Sequence, residues 1–136
     1  MTASNENVTG KKNVVIVDDD TDLLRMLVFA FKAEGYPVVG FENGKEADEF
    51  LNNEKNLDST ALVILDRLLP DMDGIEILKS YSSKFNKHIP VMFLSVLSGE
   101  RDVLTGLKEG AVEYVTKPFS LPILLEKATN LIQRFS

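Results

Sequence analysis

With 136 residues, of which 44% are hydrophobic and 26% charged, the chain suits a single globular domain. It contains no cysteine, which excludes disulfide scaffolds, zinc–thiolate sites and cysteine nucleophiles, and no apolar run approaches the ~20 residues that span a membrane. The net charge of −6 disfavours a nucleic-acid interface, which needs clustered Lys and Arg, so we expect a cytoplasmic domain that binds neither membranes nor nucleic acids directly.

Residues 1–11 are polar and lack periodicity, which is typical of a disordered tail, and residues 12–136 are predicted to form the folded domain. Beyond the tail, short apolar runs alternate with longer segments of helical period. In chain order, each predicted strand is followed by a predicted helix: 13–17 and 21–34, 37–41 and 44–53, 61–65 and 75–85, 90–94 and 99–109, 112–115 and 121–134.

Some details of the helices are also predicted. Asp20, Asn43 and Ser98 are candidate N-caps, because short polar side chains before a helix accept hydrogen bonds from its first amides. In the first helix, the apolar stripe that contains Leu23 and Leu27 is predicted to face the core.

Five strand–helix units with fully apolar strands indicate an α/β fold with one parallel sheet and helices on both faces. Right-handed crossovers leave few topologies, and the five-strand order 2-1-3-4-5 of a doubly wound, flavodoxin-like (βα)5 sheet is the natural choice. In such sheets the functional crevice lies at the carboxyl ends of the strands.

Polar side chains follow four of the five predicted strands. Asp18 and Asp19 follow the first strand, Asp66 the third, Ser95 the fourth and Lys117 the fifth. Each has an ordinary explanation, since Asp caps helices and turns, and Ser is common in loops. Their joint placement at four strand ends is harder to explain by coincidence and predicts one shared crevice.

The chemistry of that crevice points to a phosphoryl group. Crowded carboxylates repel one another, and Lys117 offsets one charge at most. A hard divalent cation such as Mg²⁺ would relieve the repulsion and would help to hold phosphoryl oxygens. Asp66, on the central strand, is the best-placed nucleophile for forming an acyl phosphate.

Four segments closely resemble the receiver-domain family of bacterial response regulators: VVIVDDD (14–20), LVILDRLLPDMDG (62–74), PVMFLS (90–95) and EGAVEYVTKPF (109–119). The likeness covers about residues 12–135. It implies two-component signalling, in which Asp66 takes a phosphoryl group from the phosphohistidine of a sensor kinase or of a histidine phosphotransfer protein.

The resemblance also implies a metal site. Asp19 and Asp66 would bind Mg²⁺ through their carboxylates, Asp18 would act largely through water, and the backbone carbonyl of Leu68 would be a further ligand.

The resemblance implies a switch as well. Lys117 would pair with Asp66 and then with the phosphoryl group, Ser95 would donate its hydroxyl to a phosphoryl oxygen, and Tyr114 would be the switch aromatic. Pro118 is the candidate for a cis peptide bond. The output surface would be the helix after Ser98, the strand around Tyr114 and the last helix, and a homodimer through that surface stays open.

Three apolar residues occupy positions that matter in the family. Val96 stands where a small residue is common, and Leu68 and Leu97 occupy positions that tune dephosphorylation. Because neither leucine can orient an attacking water, we expect slow self-dephosphorylation.

Other functions remain open at this point. A Mg²⁺-dependent phosphatase with an Asp nucleophile would need a second acid–base carboxylate, for which Asp71 and Asp73 are nearby, although they also fit turn and cap positions. A flavin or nucleotide binder would want a Gly-rich loop after the first strand, where this chain has VDDDTD. A phosphorylation-independent interaction module is the third alternative. We expect a signalling acceptor rather than an enzyme, either alone or joined to an output domain.

Overall fold

Five short apolar segments form one sheet in the computed structural model, which describes residues 10–85 and 88–136. The strands are β1 (Asn13–Val17), β2 (Val38–Phe41), β3 (Thr60–Leu65), β4 (Val91–Ser95) and β5 (Glu113–Thr116). All neighbouring pairs are parallel and the order is β2-β1-β3-β4-β5, which confirms the predicted topology. The predicted tail lies outside the described residues, apart from the exposed Gly10 and Lys11.

Six helices lie among the described residues, one more than predicted. They are α1 (Thr21–Ala33), α2 (Gly44–Leu51), α3 (Glu54–Asp58), α4 (Gly74–Lys84), α5 (Glu100–Lys108) and α6 (Leu121–Arg134). The extra helix arises because the segment predicted over 44–53 stops at Leu51. Asn53 then caps α3 by accepting a hydrogen bond from the Asn56 amide at 3.1 Å.

The core lies on both faces of the sheet, as expected for strands that are apolar throughout. Val15 and Val17 pack with the buried side chains of α2, α3 and α4. Val14 and Ile16, which point the opposite way, pack with those of α1 and α6. All five residues of β1 and of β4 are buried, so the strand ends that carry Asp18 and Ser95 are packed within the core.

The stripe of α1 that packs against the core contains the predicted Leu23 and Leu27, and it also contains Leu24. Leu24, Leu27 and Phe31 are buried, whereas Leu23 is only partly buried. Either leucine fits the helical period with Leu27. Leu24 is the more deeply buried of the two because it packs against Gly40 of β2. A Cβ at Gly40 would lie only 3.3 Å from a methyl carbon of Leu24.

Two of the three predicted caps are confirmed. Asp20 accepts from the Leu23 amide and Asn43 from the Glu46 amide. Ser98 is not a cap: Gly99 holds that position without a side-chain hydrogen bond. The start of α5 instead carries acidic residues, which suit the positive end of the helix dipole.

In the part of the chain that the structure describes, no helix combines the length and the apolar character that crossing a membrane requires.

Candidate functional site

The carboxyl ends of four strands bring the predicted polar side chains to one crevice. Asp18 directly follows β1, Asp66 follows β3, Ser95 ends β4 and Lys117 follows β5. Backbone hydrogen bonds extend the sheet beyond the strand ends. The amide of Asp66 donates to the Val17 carbonyl at 3.0 Å, and that of Lys117 donates to the Ser95 carbonyl at 2.9 Å. The side chains are therefore positioned by the sheet itself.

Lys117 links the two buried carboxylates of the crevice. Its Nζ lies 2.8 Å from Asp66 Oδ2 and 2.8 Å from Asp18 Oδ2. The second carboxylate oxygens are held locally, because Asp18 Oδ1 accepts from the Asp20 amide and Asp66 Oδ1 from the Leu68 amide, both at 2.9 Å. Each carboxylate is thus fixed in orientation by its own loop and by the lysine.

The charges in the crevice do not balance. Asp18, Asp19 and Asp66 each offer a carboxylate oxygen, and these oxygens lie within 4.8 Å of one another. Against three negative charges stands one ammonium, that of Lys117. Asp18 and Asp66 are buried, while Asp19 is exposed to solvent. A divalent cation with oxygen ligands would neutralise the remainder.

Burial and ion pairing change the pKa values of Asp18 and Lys117. Burial raises the pKa of Asp18, although Lys117 and the Asp20 amide oppose that effect. Burial by itself would lower the pKa of Lys117, but hydrogen bonds to Asp18 and Asp66 outweigh it and the pKa is raised. Asp18 Oδ2 is buried and lies 2.8 Å from Lys117 Nζ, and the acidic groups of the crevice offer only oxygen ligands. The donor set therefore fits a hard cation.

Ser95 and Tyr114 meet at Leu97. The fully buried Ser95 accepts from the Leu97 amide through Oγ at 3.3 Å. The Tyr114 hydroxyl donates to the Leu97 carbonyl at 2.6 Å, and its ring packs on Phe93 with centroids 5.9 Å apart. A single residue thus connects the hydroxyl of the crevice to the half-buried aromatic on β5.

The remaining residues implied by the resemblance are placed as follows. The peptide bond between Lys117 and Pro118 is cis. Leu68 and Val96 are 48% and 58% exposed and flank the crevice in sequence after Asp66 and Ser95. Leu68 is held to the loop through its amide, and its carbonyl as a metal ligand stays a prediction.

Asp71 and Asp73 are occupied at helix N-termini. Asp71 accepts from the amides of Gly44 and Lys45 at 2.7 and 2.8 Å, and these two hydrogen bonds lower its pKa. Asp73 caps α4 by accepting from the Ile75 amide at 2.8 Å. The cap position of Asp73 agrees with the sequence. The contact of Asp71 with α2, by contrast, joins residues too far apart in the chain to be predicted.

Sequence reasoning missed Arg67, the residue directly after Asp66. Its side chain is only 9% exposed. It donates through one terminal nitrogen to the Asp102 carbonyl at 3.0 Å and lies 3.5 Å from the Asp73 carboxylate. Burial alone would lower the pKa of Arg67, but the Tyr114 hydroxyl and the Asp73 carboxylate raise it overall. The available signal was a second charged residue, two positions beyond the end of an apolar strand.

Comparisons with known proteins agree with this geometry. The family model of the response regulator receiver domain matches residues 14–129, and the chain belongs to that family. A probable transcriptional regulatory protein of Picosynechococcus sp. (strain ATCC 27264 / PCC 7002 / PR-6) is 35% identical over 127 residues, which are 91% of this chain and 50% of the relative. The chain thus spans about half the length of that curated relative.

Solved structures show the same fold. The receiver domain of the Francisella response regulator 1452 has a TM-score of 0.83 and 29% identity, with 93% of this chain and 100% of that chain covered. A chain of the complex of CheX, CheY, BeF3 and Mg²⁺ from Borrelia burgdorferi has a TM-score of 0.78 and 30% identity, with 90% and 91% covered. The protein is therefore a receiver domain of two-component signalling, a family in which aspartyl phosphate and Mg²⁺ are typical.

Proposed function

We propose that the chain, over residues 12–136, is a cytoplasmic phosphoacceptor receiver whose acceptor is Asp66. The main support is the position of that carboxylate: buried at the end of the central strand, with Lys117 Nζ 2.8 Å from Oδ2. A carboxylate oxygen attacks phosphorus, a new P–O bond forms, and the P–N bond of a phosphohistidine breaks. The imidazole keeps that electron pair and takes up a proton. The donor is a sensor kinase or a histidine phosphotransfer protein.

We further propose that Asp19 and Asp66 hold Mg²⁺ through carboxylates, Asp18 through water, and Leu68 through its carbonyl. The metal would neutralise charge on the phosphoryl oxygens. The excess of three carboxylates over one ammonium supports this assignment.

The protein's own side chains then respond to the new group. Phosphorylation adds roughly −1.5 to −2 charge and strong acceptor oxygens beside Lys117. The Ser95 hydroxyl, which accepts from the Leu97 amide, gains a phosphoryl oxygen as an acceptor for its proton. A movement of Ser95 is passed to Leu97 and from there to Tyr114. The output surface is then α5, β5 and α6, where an output domain, a downstream protein or a second copy would bind.

The phosphorylated state should be long-lived. Leu68 and Leu97, the residues two past Asp66 and Ser95, are apolar and cannot position a water for attack on the acyl phosphate. Val96 adds exposed bulk beside the crevice.

The phosphatase alternative gains no support from the site. It requires an acid–base carboxylate besides the proposed metal ligands, and the two candidates that follow Asp66 in the chain, Asp71 and Asp73, are held by helix amides. We therefore propose a stoichiometric acceptor rather than a turnover enzyme.

The test is intact mass spectrometry after incubation with Mg²⁺ and acetyl phosphate. We expect one added phosphoryl group in the wild type, none in Asp66→Asn, and one in the matched control Asp73→Asn, which removes a carboxylate from the same loop. An unmodified wild type that is folded and binds Mg²⁺ would contradict the proposal and favour an interaction module. Multiple turnover of a phosphate monoester would favour the phosphatase.

A further inference from the structure

Arg67 is a buried cation whose charge is only partly compensated. Its side chain is 9% exposed, and its one carboxylate partner among the described residues, Asp73, lies at 3.5 Å and is itself 41% exposed. The Nε atom is buried and donates to no described residue. Buried ion pairs are weak contributors to stability, and an apolar side chain of similar volume often serves a core as well. The arginine therefore calls for an explanation other than stability.

The guanidinium joins three elements of the fold. Through Asp102 it holds the first turn of α5, and through Asp73 it holds the N-cap of α4. An interaction with the Tyr114 hydroxyl on β5 contributes to raising the pKa of Arg67. A planar guanidinium can serve several acceptors in fixed directions, which a flexible ammonium cannot. Two of these three elements, α5 and β5, belong to the surface expected to change on phosphorylation.

The backbone of Asp66 and Arg67 is in close contact with Gly74, the first residue of α4. The Gly74 amide donates to the Arg67 carbonyl at 2.9 Å. Gly74 also lies so close to the backbone of Asp66 and Arg67 that a Cβ there would overlap the Asp66 carbonyl oxygen. The backbone of Asp66 and Arg67 is therefore packed tightly against the start of α4.

A second contact holds Tyr114 from the side of α5. Gly106 lies against its ring, since a Cβ at Gly106 would lie 2.9 Å from two ring carbons of Tyr114. Tyr114 thus packs against α5 and Phe93, and its hydroxyl donates to the Leu97 carbonyl. Because Arg67 holds Asp102, about one turn before Gly106 on the same helix, it is joined to Tyr114 through α5.

We propose that Arg67 is a positioning residue that couples the state of Asp66 to Tyr114 and the first turn of α5. The coupling rests on the proposed function of Asp66 as phosphoacceptor, and it adds a second route to the one through Ser95 and Leu97. Arg67 touches no reacting atom. It acts by fixing Tyr114 relative to the strand end that carries the acceptor.

The test is a double-mutant cycle on the affinity for beryllium fluoride in the presence of Mg²⁺, followed by ¹⁹F nuclear magnetic resonance. The four proteins are the wild type, Tyr114→Phe, Arg67→Met and the double variant. Because linkage is reciprocal, loss of the tyrosine hydroxyl should change Kd about fivefold or more if Tyr114 is coupled to the acceptor. In the Arg67→Met background the same substitution should change Kd by less than about twofold.

A purely structural arginine would give a different result. It would lower stability but leave the effect of Tyr114→Phe on Kd unchanged, and equal fold-changes in the two backgrounds would overturn the proposal. A Tyr114→Phe protein with wild-type affinity would also overturn it. The exposed Arg101, on the first turn of α5, supplies the matched control: Arg101→Met should preserve the Tyr114 effect.

Two safeguards keep the result interpretable. If Arg67→Met does not fold, Arg67→Lys takes its place with the same criteria, because it keeps the charge near Asp73 but not the planar fork. Failure of the folded wild type to bind beryllium fluoride would contradict the proposed function itself. That outcome is distinct from failure of the coupling, in which the wild type binds and the cycle shows no interaction.

Discussion

Gly74→Ala tests how tightly the acceptor strand is joined to α4. Gly74 is the first residue of α4 and its φ is not positive, so the need for glycine comes from space rather than from backbone conformation. A Cβ would overlap the Asp66 carbonyl oxygen and would lie 3.1 Å from the Arg67 Cα and the Asp66 carbonyl carbon. All three are backbone atoms, which cannot rotate away as a side chain would.

The magnitude follows from the cost of overpacking. Forcing an extra methyl group into a well-packed site costs about 1–3 kcal/mol, while Ala gains at most about 1 kcal/mol over Gly from helix propensity. We expect a net destabilisation of about 1–2 kcal/mol. With a urea m-value of about 1–3 kcal/mol/M, the unfolding midpoint should fall by roughly 0.3–2 M. The shifted Asp66 backbone should also slow phosphorylation by acetyl phosphate.

Gly99→Ala is the matched control. A Cβ at Gly99 meets only the Asp102 carboxylate at 3.2 Å, a side chain free to move. Because the substitution changes only a cap position, it should cost less than about 1 kcal/mol and leave phosphorylation unchanged. A Gly74→Ala protein as stable as the wild type, with the same phosphorylation rate, would refute the tight junction between Gly74 and Asp66.

Three further predictions concern other parts of the chain. Leu97→Glu should lose its phosphoryl group faster than the wild type, since a carboxylate can orient an attacking water. Slower loss from the variant would contradict the proposal that the apolar Leu97 slows dephosphorylation. Asp71→Asn should lower the urea midpoint at neutral pH. Because the pKa of Asp71 is lowered from 3.8, its ionised carboxylate stabilises the fold above that pH. The difference in urea midpoint between the two proteins should therefore shrink as the pH falls below 3.8. A difference that does not change with pH would show that the charge of Asp71 is not the cause. Tyr81→Phe should leave stability unchanged or raise it, because the buried Tyr81 hydroxyl has no hydrogen-bond partner among the described residues. Burial also raises the pKa of Tyr81 from 10.0, so the wild type should lose stability as the pH rises above 10. The variant should lose less stability over the same range, and urea titrations at several pH values would measure the difference.

The sequence determined the sheet and the location of the crevice. Fully apolar runs separated by helical segments leave few topologies, and polar residues directly after such runs must gather at one edge of a parallel sheet. This is why Asp18, Asp66 and Lys117 could be placed together from spacing alone, and the structure shows the lysine 2.8 Å from both carboxylates. Caps at Asp20 and Asn43 were also readable, because a cap is a contact over three residues.

Choices between equivalent local patterns were left to the tertiary structure. Leu23 and Leu24 both fit the period of α1, and the side chain that fits against Gly40 is buried. Ser98 and Gly99 could both be the N-cap of α5, and in the folded chain Gly99 holds that position.

Contacts between distant residues were decided only by the folded chain. Asp71 reaches the amides that begin α2, and Arg67 reaches Asp102. Periodicity, capping and turn chemistry act over a few residues, so the sequence alone could determine the elements and the polar residues at their ends. The partners of Arg67 and Asp71 depend on how helices settle on a twisted sheet, and the reason for Gly74 is a backbone it meets only after that packing is complete.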